Sequence, residues 1–411
     1  MFTVNQLNNR YNLSEDDIRK MKTVYETIAY SFKGPLPTED FKALEMEHYT
    51  DERGSTQFFY LTSETGEVAS VTEIVPRSGN HDNSTNLLVT MVFTNPKYRR
   101  RGLIAKLINW VINFYETGVL ESDETLLLSD SIRKEECRAY VDSILPQALR
   151  ASKRIHWSLY SIIGDYYKQF GFVGCEDITW LEITATALAQ EDKAVQGKDF
   201  TADARTERLL TAGDLKEYFF DDEYALPKVI DEHLLNCDAE ESSFPGFIER
   251  IQSYVKMHES EIENSKFFET CGILITDPHN ADIKTIVFIC PFFFINRIVV
   301  NRVYTSAPDI STFQHQWQRA SQFVHNYAAT TWTTLPCLQS VPAADKVIML
   351  ADNDFVSKNG AISKTEMVEV ITKNSSWTNK GIGAVLPMIR DWTQHKEQPS
   401  RLANNGHWSF L

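Results

Sequence analysis

The chain has 411 residues, 43% of them hydrophobic, which is enough for two domains with complete cores and excludes a disordered protein. Its formal net charge of −15 disfavours nonspecific binding to nucleic acid, whose phosphate backbone is also anionic. Six widely spaced cysteines without a CxxC pair argue against a zinc site and against a disulfide framework. The N-terminus lacks the pattern of a secretory signal, and no apolar stretch is long enough to span a membrane. We therefore expect no metal and no membrane partner, and a cytoplasmic protein for which nuclear entry is left open.

The first predicted elements are a helix and a β-hairpin. Ser14, followed by three acidic residues, is typical of a helix N-cap. The apolar residues that follow have helical spacing: Ile18, Met21, Val24 and Ile28. Residues 58–62 and 68–75 predict two strands joined by a turn at Thr65-Gly66.

A third strand leads into a loop and then a helix. Residues 87–93 form a nearly continuous apolar run that is typical of a buried strand, and Pro96 ends it. From Leu103 to Tyr115 apolar residues recur at helical spacing, and Gly118 suits a C-terminal cap. The pattern predicts a helix of about four turns directly after the loop.

The junction between this strand and helix, YRRRGLI at residues 98–104, favours an anion site. A helix N-terminus offers unpaired backbone N–H groups and a positive dipole end, and three arginines stand beside it. Gly102 permits a close backbone approach, because it has no Cβ. A pyrophosphate group fits this combination. The alternative is a basic surface turn with a glycine for its geometry, and the residues alone leave both open.

The next segments predict further elements of the same unit. Residues 125–129 predict a short buried strand, the charged residues 132–155 predict a partly helical insertion, and residues 178–183 suit a last strand. Between them, residues 157–172 have a helical pattern that ends in Tyr167-x-x-x-Gly171-Phe172. Small and charged residues then predict a linker at 186–200, which divides the chain into 1–185 and 201–411.

The C-terminal part predicts a second α/β unit. Residues 285–304 predict two strands, with Pro291 bending or ending the first, and 347–350 predict another buried strand. Between them an amphipathic helix is marked by Phe313, Trp317, Ala320, Val324 and Tyr327. The strand, helix, strand order is similar to that of the first part, but residues 305–309 have neither the arginines nor the glycine. A second fold of this kind would therefore lack the anion site.

The segment 86–115 resembles the acetyl-CoA-binding motif of the GCN5-related N-acetyltransferase (GNAT) superfamily: Arg or Gln, two residues, Gly, one residue, then Gly or Ala. Arg99, Gly102 and Ile104 occupy the three positions, and Ile104 departs from the small residue of the pattern. The resemblance implies a mixed α/β sheet of GNAT type over residues 15–184. It also implies that the backbone of Met91, Val92 and Phe93 pairs with the pantetheine arm of acetyl-CoA. The residues implied to bind its pyrophosphate are Arg99, Arg100, Arg101, Gly102, Leu103 and Ile104.

In this superfamily a tyrosine in the Tyr-x-x-x-Gly-Phe ending commonly protonates the departing CoA thiolate. Tyr167 stands at that position, and a phenol within hydrogen-bond reach of the sulfur suits this chemistry. Tyr166 and Tyr160 are rivals. The alternative for each of these tyrosines is an amphipathic core residue with its hydroxyl near solvent.

A base must also take a proton from the ammonium group of an amine substrate. Glu73 on the preceding strand and Asp130 after the next one are the candidate bases or ammonium partners. The carboxylate of Leu411 is another, because some two-domain relatives in the superfamily place their chain terminus in the active site. His156 is more typical of a surface or capping residue.

The whole chain resembles the fungal lysine N6-acetyltransferase family, through LSEDDIRKMKTVYETIAYSF, YRRRGLIAKL and SLYSIIGDYYKQFGF. That resemblance implies transfer of acetyl from acetyl-CoA to the side-chain amine of free L-lysine. Two alternatives stay open: acetylation of a protein or peptide, and binding of acyl-CoA without catalysis. The sequence does not indicate an oligomeric state.

Overall fold

A computed structural model describes most of the chain in residue detail. The described residues are 1–8, 14–50, 56–78, 84–117, 126–129, 132, 154–175, 178–191, 202–203, 205–221, 223–224, 234–236, 244–293, 296–373, 375–381, 386–391 and 401–403.

The described residues form both α-helices and β-strands. The α-helices are α1 (Glu15–Phe32), α2 (Thr38–Thr50), α3 (Leu103–Thr117), α4 (Ala185–Glu191), α5 (Leu215–Tyr218), α6 (Phe244–Met257), α7 (Ile310–Thr334), α8 (Pro336–Gln339) and α9 (Lys364–Thr372). The strands before residue 200 are β1 (Phe2–Asn8), β2 (Gln57–Ser63), β3 (Val68–Ser78), β4 (Ser84–Thr94), β5 (Leu126–Leu128), β6 (Arg154–Ser161), β7 (Val173–Gly174) and β8 (Trp180–Thr184). Those after it are β9 (Glu207–Thr211), β10 (Leu234–Asn236), β11 (Thr270–Thr276), β12 (Lys284–Phe292), β13 (Arg297–Thr305), β14 (Val347–Ala351), β15 (Phe355–Ser357), β16 (Thr378–Gly381), β17 (Leu386–Asp391) and β18 (Arg401–Ala403).

The first sheet has the strand order β5-β1-β2-β3-β4-β6-β17-β7. Its middle is the antiparallel run β1–β2–β3–β4, while β4 and β6 are parallel and connected through α3. Side chains alternate between the two faces. Phe59, Leu61 and Leu87 pack on the α3 side, and Phe58 and Val71 face α1 and α2.

Local sequence explains the elements that lead to the site. The Ser14 side chain accepts a hydrogen bond from the Asp17 N–H and completes a capping box, so α1 begins where predicted. Gly66, at φ +78°, makes the turn between β2 and β3. β4 ends at Thr94, a 3-10 turn follows at Pro96–Tyr98, and α3 begins at Leu103. These predictions are confirmed; Gly118 lies outside the described residues.

One prediction near the site is wrong. Residues 154–161 form a strand rather than part of a helix, and only Gly164–Phe170 are helical, as a 3-10 turn. Packing decides the outcome, because Trp157 and Leu159 are buried on the face covered by α3 while β4 and β17 pair with β6 on either side. In such a buried position a short apolar run cannot be assigned to helix or strand from its pattern alone.

The second sheet has the order β16-β8-β14-β13-β12-β11-β9, with β15 also paired to β13. It repeats the arrangement around β4, since β13 is antiparallel to β12, parallel to β14, and followed by the long helix α7. The predicted fold class is thus confirmed: two mixed α/β sheets with flanking helices.

In the first sheet the pairing between β4 and β6 ends at Val89 and Leu159 among the described residues. In the second sheet the corresponding strand β13 stays paired to its end. The end of β13 pairs with β15, from Val303 to Thr305. The Asp309 carboxylate accepts a hydrogen bond from the Thr312 N–H at 2.8 Å and so caps the N-terminus of α7. A carboxylate at that helix end disfavours a phosphate, and the absence of an anion site from this unit stays a prediction.

The two sheets exchange strands. β8, predicted as the last strand of the first unit, pairs with β14 and β16 in the second sheet. β17, from near the end of the chain, lies between β6 and β7 in the first. One apolar cluster includes Tyr25 of α1 and Tyr254 of α6, so the main core is shared. The division at 186–200 stays a prediction, although its first residues form α4.

Candidate active site

A cavity of about 680 Å³ lies where β4 and β6 separate. The two strands pair from Ser84–Arg154 to Val89–Leu159, and beyond Val89 no pairing between them is present among the described residues. The residues that line this β4–β6 cavity are Ser31, Phe32, Leu88 to Thr94, Tyr98, Arg99, Arg100, Gly102 to Ile104, Leu159, Tyr160, Ile162, Ile163, Tyr166, Tyr167 and Phe292. Peptide groups of β4 that point into it can therefore pair with an extended ligand, as an added strand does.

A bulge in β4 shapes the cavity wall. Val71 lies opposite Phe93, but Glu73 lies opposite Thr90, so β4 carries one extra residue there. Met91 has φ +48°, an unusual value for a residue with a side chain, and is part of this bulge. The backbone of Met91, Val92 and Phe93 was predicted to contact the cofactor, and all three residues line the cavity.

The predicted phosphate cradle forms one end of the cavity. Arg99, Arg100, Gly102, Leu103 and Ile104 all line it. Arg100 at φ +65° and Gly102 at φ +69° turn the chain into α3, whose first N–H groups have no partner within the helix. A Cβ built on Gly102 meets no atom within 4 Å, so the space in front of this backbone is open. Open N–H groups, a positive helix end and arginines fit the pyrophosphate of acetyl-CoA.

The three arginines of the loop have different surroundings. Arg99 donates from Nε to the Thr94 carbonyl oxygen at 3.2 Å, and its guanidinium lies 5.6 Å from the Tyr30 ring. Arg101 does not line the cavity, and its guanidinium lies 5.5 Å from the Tyr98 ring. Arg100 lines the cavity. Of the three arginines, it is the one for which no hydrogen bond or ring contact to another described residue is present. Its guanidinium group is therefore the best placed of the three to bind a pyrophosphate.

Tyr98 anchors this loop to the sheet. Its side chain is 6% exposed, and its hydroxyl donates to the Glu67 carboxylate at 2.7 Å. Lys97 forms an ion pair with the same carboxylate, and the lysine and tyrosine contacts lower the pKa of Glu67. The loop is thus held at its start by Glu67 of the β2–β3 turn, which fixes where the arginines emerge.

Tyr167 lies at the wall of the cavity, on the 3-10 turn. Its side chain is 6% exposed, and burial raises the pKa of its phenol above the usual range, with a smaller contribution from Tyr166. The phenol therefore keeps its proton at neutral pH. Among the described residues no hydrogen bond to its hydroxyl is present, so the proton is available to a ligand. A protonated phenol at the cavity wall with no other described partner can donate a hydrogen bond to a ligand.

The rival tyrosines line the same cavity. Tyr166 is only half-buried, and burial also raises the pKa of its phenol. Tyr160 lies on β6 where that strand separates from β4. Position alone thus admits three phenols, and burial distinguishes Tyr167 from the other two. The assignment of the acid stays a prediction.

Glu73 does not line the cavity, although Thr90, directly opposite it on β4, does. The pKa of Glu73 is raised to about 8, mainly by burial and in smaller part by the Glu45 carboxylate, while Arg250 acts in the opposite direction. Glu45 is 4% exposed and pairs with Arg250 Nη2 at 3.1 Å, which joins α2 to α6. As a base, Glu73 would act through Thr90 or a water, and this role stays a prediction.

The second sheet contributes a wall residue that the sequence analysis missed. Phe292, the last residue of β12, lines the cavity together with Ser31 and Phe32 at the end of α1. Phe292 is 6% exposed and packs on the Phe247 ring of α6 at 4.7 Å. No local signal in the sequence distinguishes it from other core phenylalanines. The α1 side of the cavity is consequently built from both sheets.

Two candidate bases, Asp130 and Leu411, cannot be placed, because they lie outside the described residues. His156 is 4% exposed and lies within β6 rather than at a helix start. The described part of the chain contains no cluster of three or more possible metal ligands. None of its helices has the length and apolar character needed to cross a membrane.

Comparisons with known proteins give structural neighbours only. No protein-family model and no curated protein matches the chain. A GCN5-related N-acetyltransferase from Sphaerobacter thermophilus is 11% identical, with 94% of this chain and 95% of that chain covered, at a TM-score of 0.41. One from Anabaena variabilis ATCC 29413 is 11% identical, with 94% and 72% covered, at 0.41. A tandem GNAT protein from the clavulanic acid biosynthesis pathway is 7% identical, with 94% and 98% covered, at 0.44. Similarity this low leaves the activity to be argued from the residues of the site.

Proposed function

We propose that this chain is an N-acetyltransferase that transfers an acetyl group from acetyl-CoA to a primary amine. The observation that carries the proposal is the β4–β6 cavity, which has a phosphate cradle at Arg100 and Gly102 and a buried, protonated phenol at Tyr167. The part of β4 beyond Val89, where pairing with β6 ends among the described residues, also lines the cavity. A thioester with a long amide-containing arm and a diphosphate matches this combination of features.

In the proposed reaction both substrates are bound together. When bound, acetyl-CoA supplies the acetyl group as an activated thioester. The neutral amine attacks the thioester carbonyl carbon, so that the C–N bond forms and the C–S bond breaks. A base, for which Glu73 acting through Thr90 is the described candidate, first takes a proton from the ammonium group and so leaves the neutral amine. Tyr167 donates its phenolic proton to the departing sulfur. The second proton that the nitrogen loses as the amide forms passes through solvent and restores the Tyr167 phenol.

For the acceptor we propose the side-chain amine of free L-lysine. The support for this finer proposal is the resemblance of three sequence segments to the fungal lysine N6-acetyltransferases. Phe292 from the second sheet lines the cavity together with Ser31 and Phe32, and a wall at this place agrees with a small acceptor. A peptide acceptor requires an open groove at the same place.

Release of CoA from acetyl-CoA by the full chain tests the proposal, with L-lysine compared against other amino acids, polyamines and a lysine-containing peptide. Release that depends on L-lysine supports both the transferase activity and the proposed acceptor. Release with another small amine keeps the transferase and replaces the acceptor, and release only with peptide indicates protein acetylation. Saturable acetyl-CoA binding without release for any acceptor contradicts a transferase.

A further inference from the structure

Arg390 connects β17 to the 3-10 turn that contains Tyr167. It lies on β17, the strand inserted between β6 and β7. Its Nε and Nη2 donate to the two carboxylate oxygens of Glu116 at 3.1 and 2.8 Å, and its Nη1 donates to the Phe170 carbonyl oxygen at 2.9 Å. All three guanidinium nitrogens thus have a partner, in the forked geometry that lysine cannot reproduce.

Glu116 makes this contact rigid. Its side chain is only 4% exposed, and it also accepts a hydrogen bond from the Trp157 indole at 3.0 Å. A carboxylate buried in the last turn of a helix is unfavourable both because it loses water and because the helix dipole is negative there. Arg390 offsets both costs. The pair therefore ties α3, which begins at the phosphate cradle, to β6 and β17.

The Phe170 carbonyl group belongs to the 3-10 turn Gly164–Phe170, three residues after Tyr167. Gly171 caps this turn at φ +84°, and a Cβ there would lie 2.6 Å from Arg390 Nη1. The glycine of the Tyr-x-x-x-Gly-Phe ending is therefore required twice, by its backbone conformation and by the guanidinium packed on it. Arg390 covers the C-terminal end of the turn.

We infer that Arg390 is a positioning residue that holds Tyr167 in the cavity wall, an inference that rests on the proposed transferase function. The Tyr167 hydroxyl has no hydrogen-bond partner among the described residues, so its place depends on its turn and on ring packing. Those ring contacts are with Tyr166, Phe170 and Phe172. Release of the Phe170 carbonyl group frees the end of the turn, and a displacement of about 1 Å in an acid lowers turnover by up to about 100-fold.

A double-mutant cycle between Arg390→Met and Tyr167→Phe tests this role in the full chain. If Arg390 acts through Tyr167, Arg390→Met alone lowers kcat by about 10- to 100-fold, with little change in the Kd for acetyl-CoA. In the Tyr167→Phe background it then lowers kcat no further, because the acid that it positions is already absent. Arg390→Lys restores part of the kcat, since one ammonium group can still reach the Phe170 carbonyl oxygen.

Independent losses that multiply in the double variant would overturn the inference, as would a folded Arg390→Met protein with unchanged kcat. If Arg390→Met does not fold, Arg390→Lys replaces it in the same cycle, with the same two readings. Absence of transfer in the unmodified protein would overturn the proposed function itself. Inactivity of the unmodified protein is seen before any variant is made. It is therefore distinct from independent losses of kcat in the variants of an active enzyme.

Discussion

The rings of Tyr166 and Tyr167 meet edge to face, with centroids 5.2 Å apart, and both line the β4–β6 cavity. Burial raises the pKa of both phenols, so both carry a proton at neutral pH. Only Tyr167 is almost fully buried, and desolvation strengthens a hydrogen bond to a developing thiolate. The pair therefore offers one candidate acid and a matched control beside it.

We expect Tyr167→Phe to lower kcat by about 100-fold, because the proton donor to the leaving sulfur is lost. The Kd for acetyl-CoA should change little, since the ring and its packing are kept. Tyr166→Phe is the control, and its kcat should stay close to that of the unmodified protein. Steady-state kinetics with calorimetric titration of acetyl-CoA separates the two quantities. Equal losses of turnover and affinity in Tyr167→Phe would instead indicate a packing role.

Arg100 and Arg101 provide a second comparison within the phosphate cradle. Arg100→Ala should raise the Kd for acetyl-CoA by about 10-fold, because a charge-assisted contact to the pyrophosphate is lost. Arg101→Ala should have a smaller effect, since that guanidinium lies over the Tyr98 ring and does not line the cavity. Titrations at low and high salt should show the difference shrinking as ions screen the charges. Equal effects of the two substitutions would contradict this placement of the arginines.

Substitution of Gly102 should lower both the stability of the protein and its affinity for acetyl-CoA, and a control substitution separates the two losses. Gly102→Ala should cost about 1 kcal/mol of stability, because alanine is disfavoured at φ +69°. Its Cβ meets no protein atom but points into open space in front of the cradle, so acetyl-CoA affinity should also fall. Gly66→Ala is the matched control, with φ +78° and equally open surroundings in the β2–β3 turn. It should lose similar stability in thermal unfolding and no affinity; a loss of affinity in both would refute the cradle.

Local signals predicted the elements around the cradle because each one is encoded within a few residues. The capping box at Ser14, the turn glycine Gly66 and the apolar run of β4 that ends before Pro96 are all of this kind. The cradle itself follows from a strand, a loop and a helix in immediate succession. The strand β13 and the helix α7 were predicted from equally local patterns, while the absence of a cofactor site between them stays a prediction.

Long-range relations were not predictable from such signals. Nothing in residues 386–391 indicates that β17 pairs with β6, more than 200 residues away, or that Arg390 packs on Gly171. The assignment of β8 to the second sheet and of Phe292 to the cavity wall depends on the same exchange between sheets. The tertiary environment of a strand, rather than its own sequence pattern, decides which strand it pairs with.

The carboxyl of Glu73 gives a prediction in which pH is the variable. Burial first, and the Glu45 carboxylate second, raise its pKa to about 8 in the folded protein, against about 4.3 in an unfolded chain. Between these values the folded state binds more protons than the unfolded state, so this group's contribution to the free energy of unfolding falls as pH rises and levels off above about 8. Glu73→Gln removes that dependence. The melting temperature of the variant, relative to the unmodified protein, should therefore increase from pH 5 to pH 9.

Thermal unfolding at pH 5, 7 and 9 measures this difference, with Glu259→Gln at an exposed position as the control. A difference that does not grow with pH would show that Glu73 is not held in its protonated form. Turnover separates a base from a buried structural group in the same samples. If Glu73 is the base, kcat/KM rises through about pH 8, because only the ionised carboxylate accepts a proton, and Glu73→Gln abolishes that rise. If the two pH profiles have the same shape, Glu73 contributes to stability alone, and the base must be sought elsewhere.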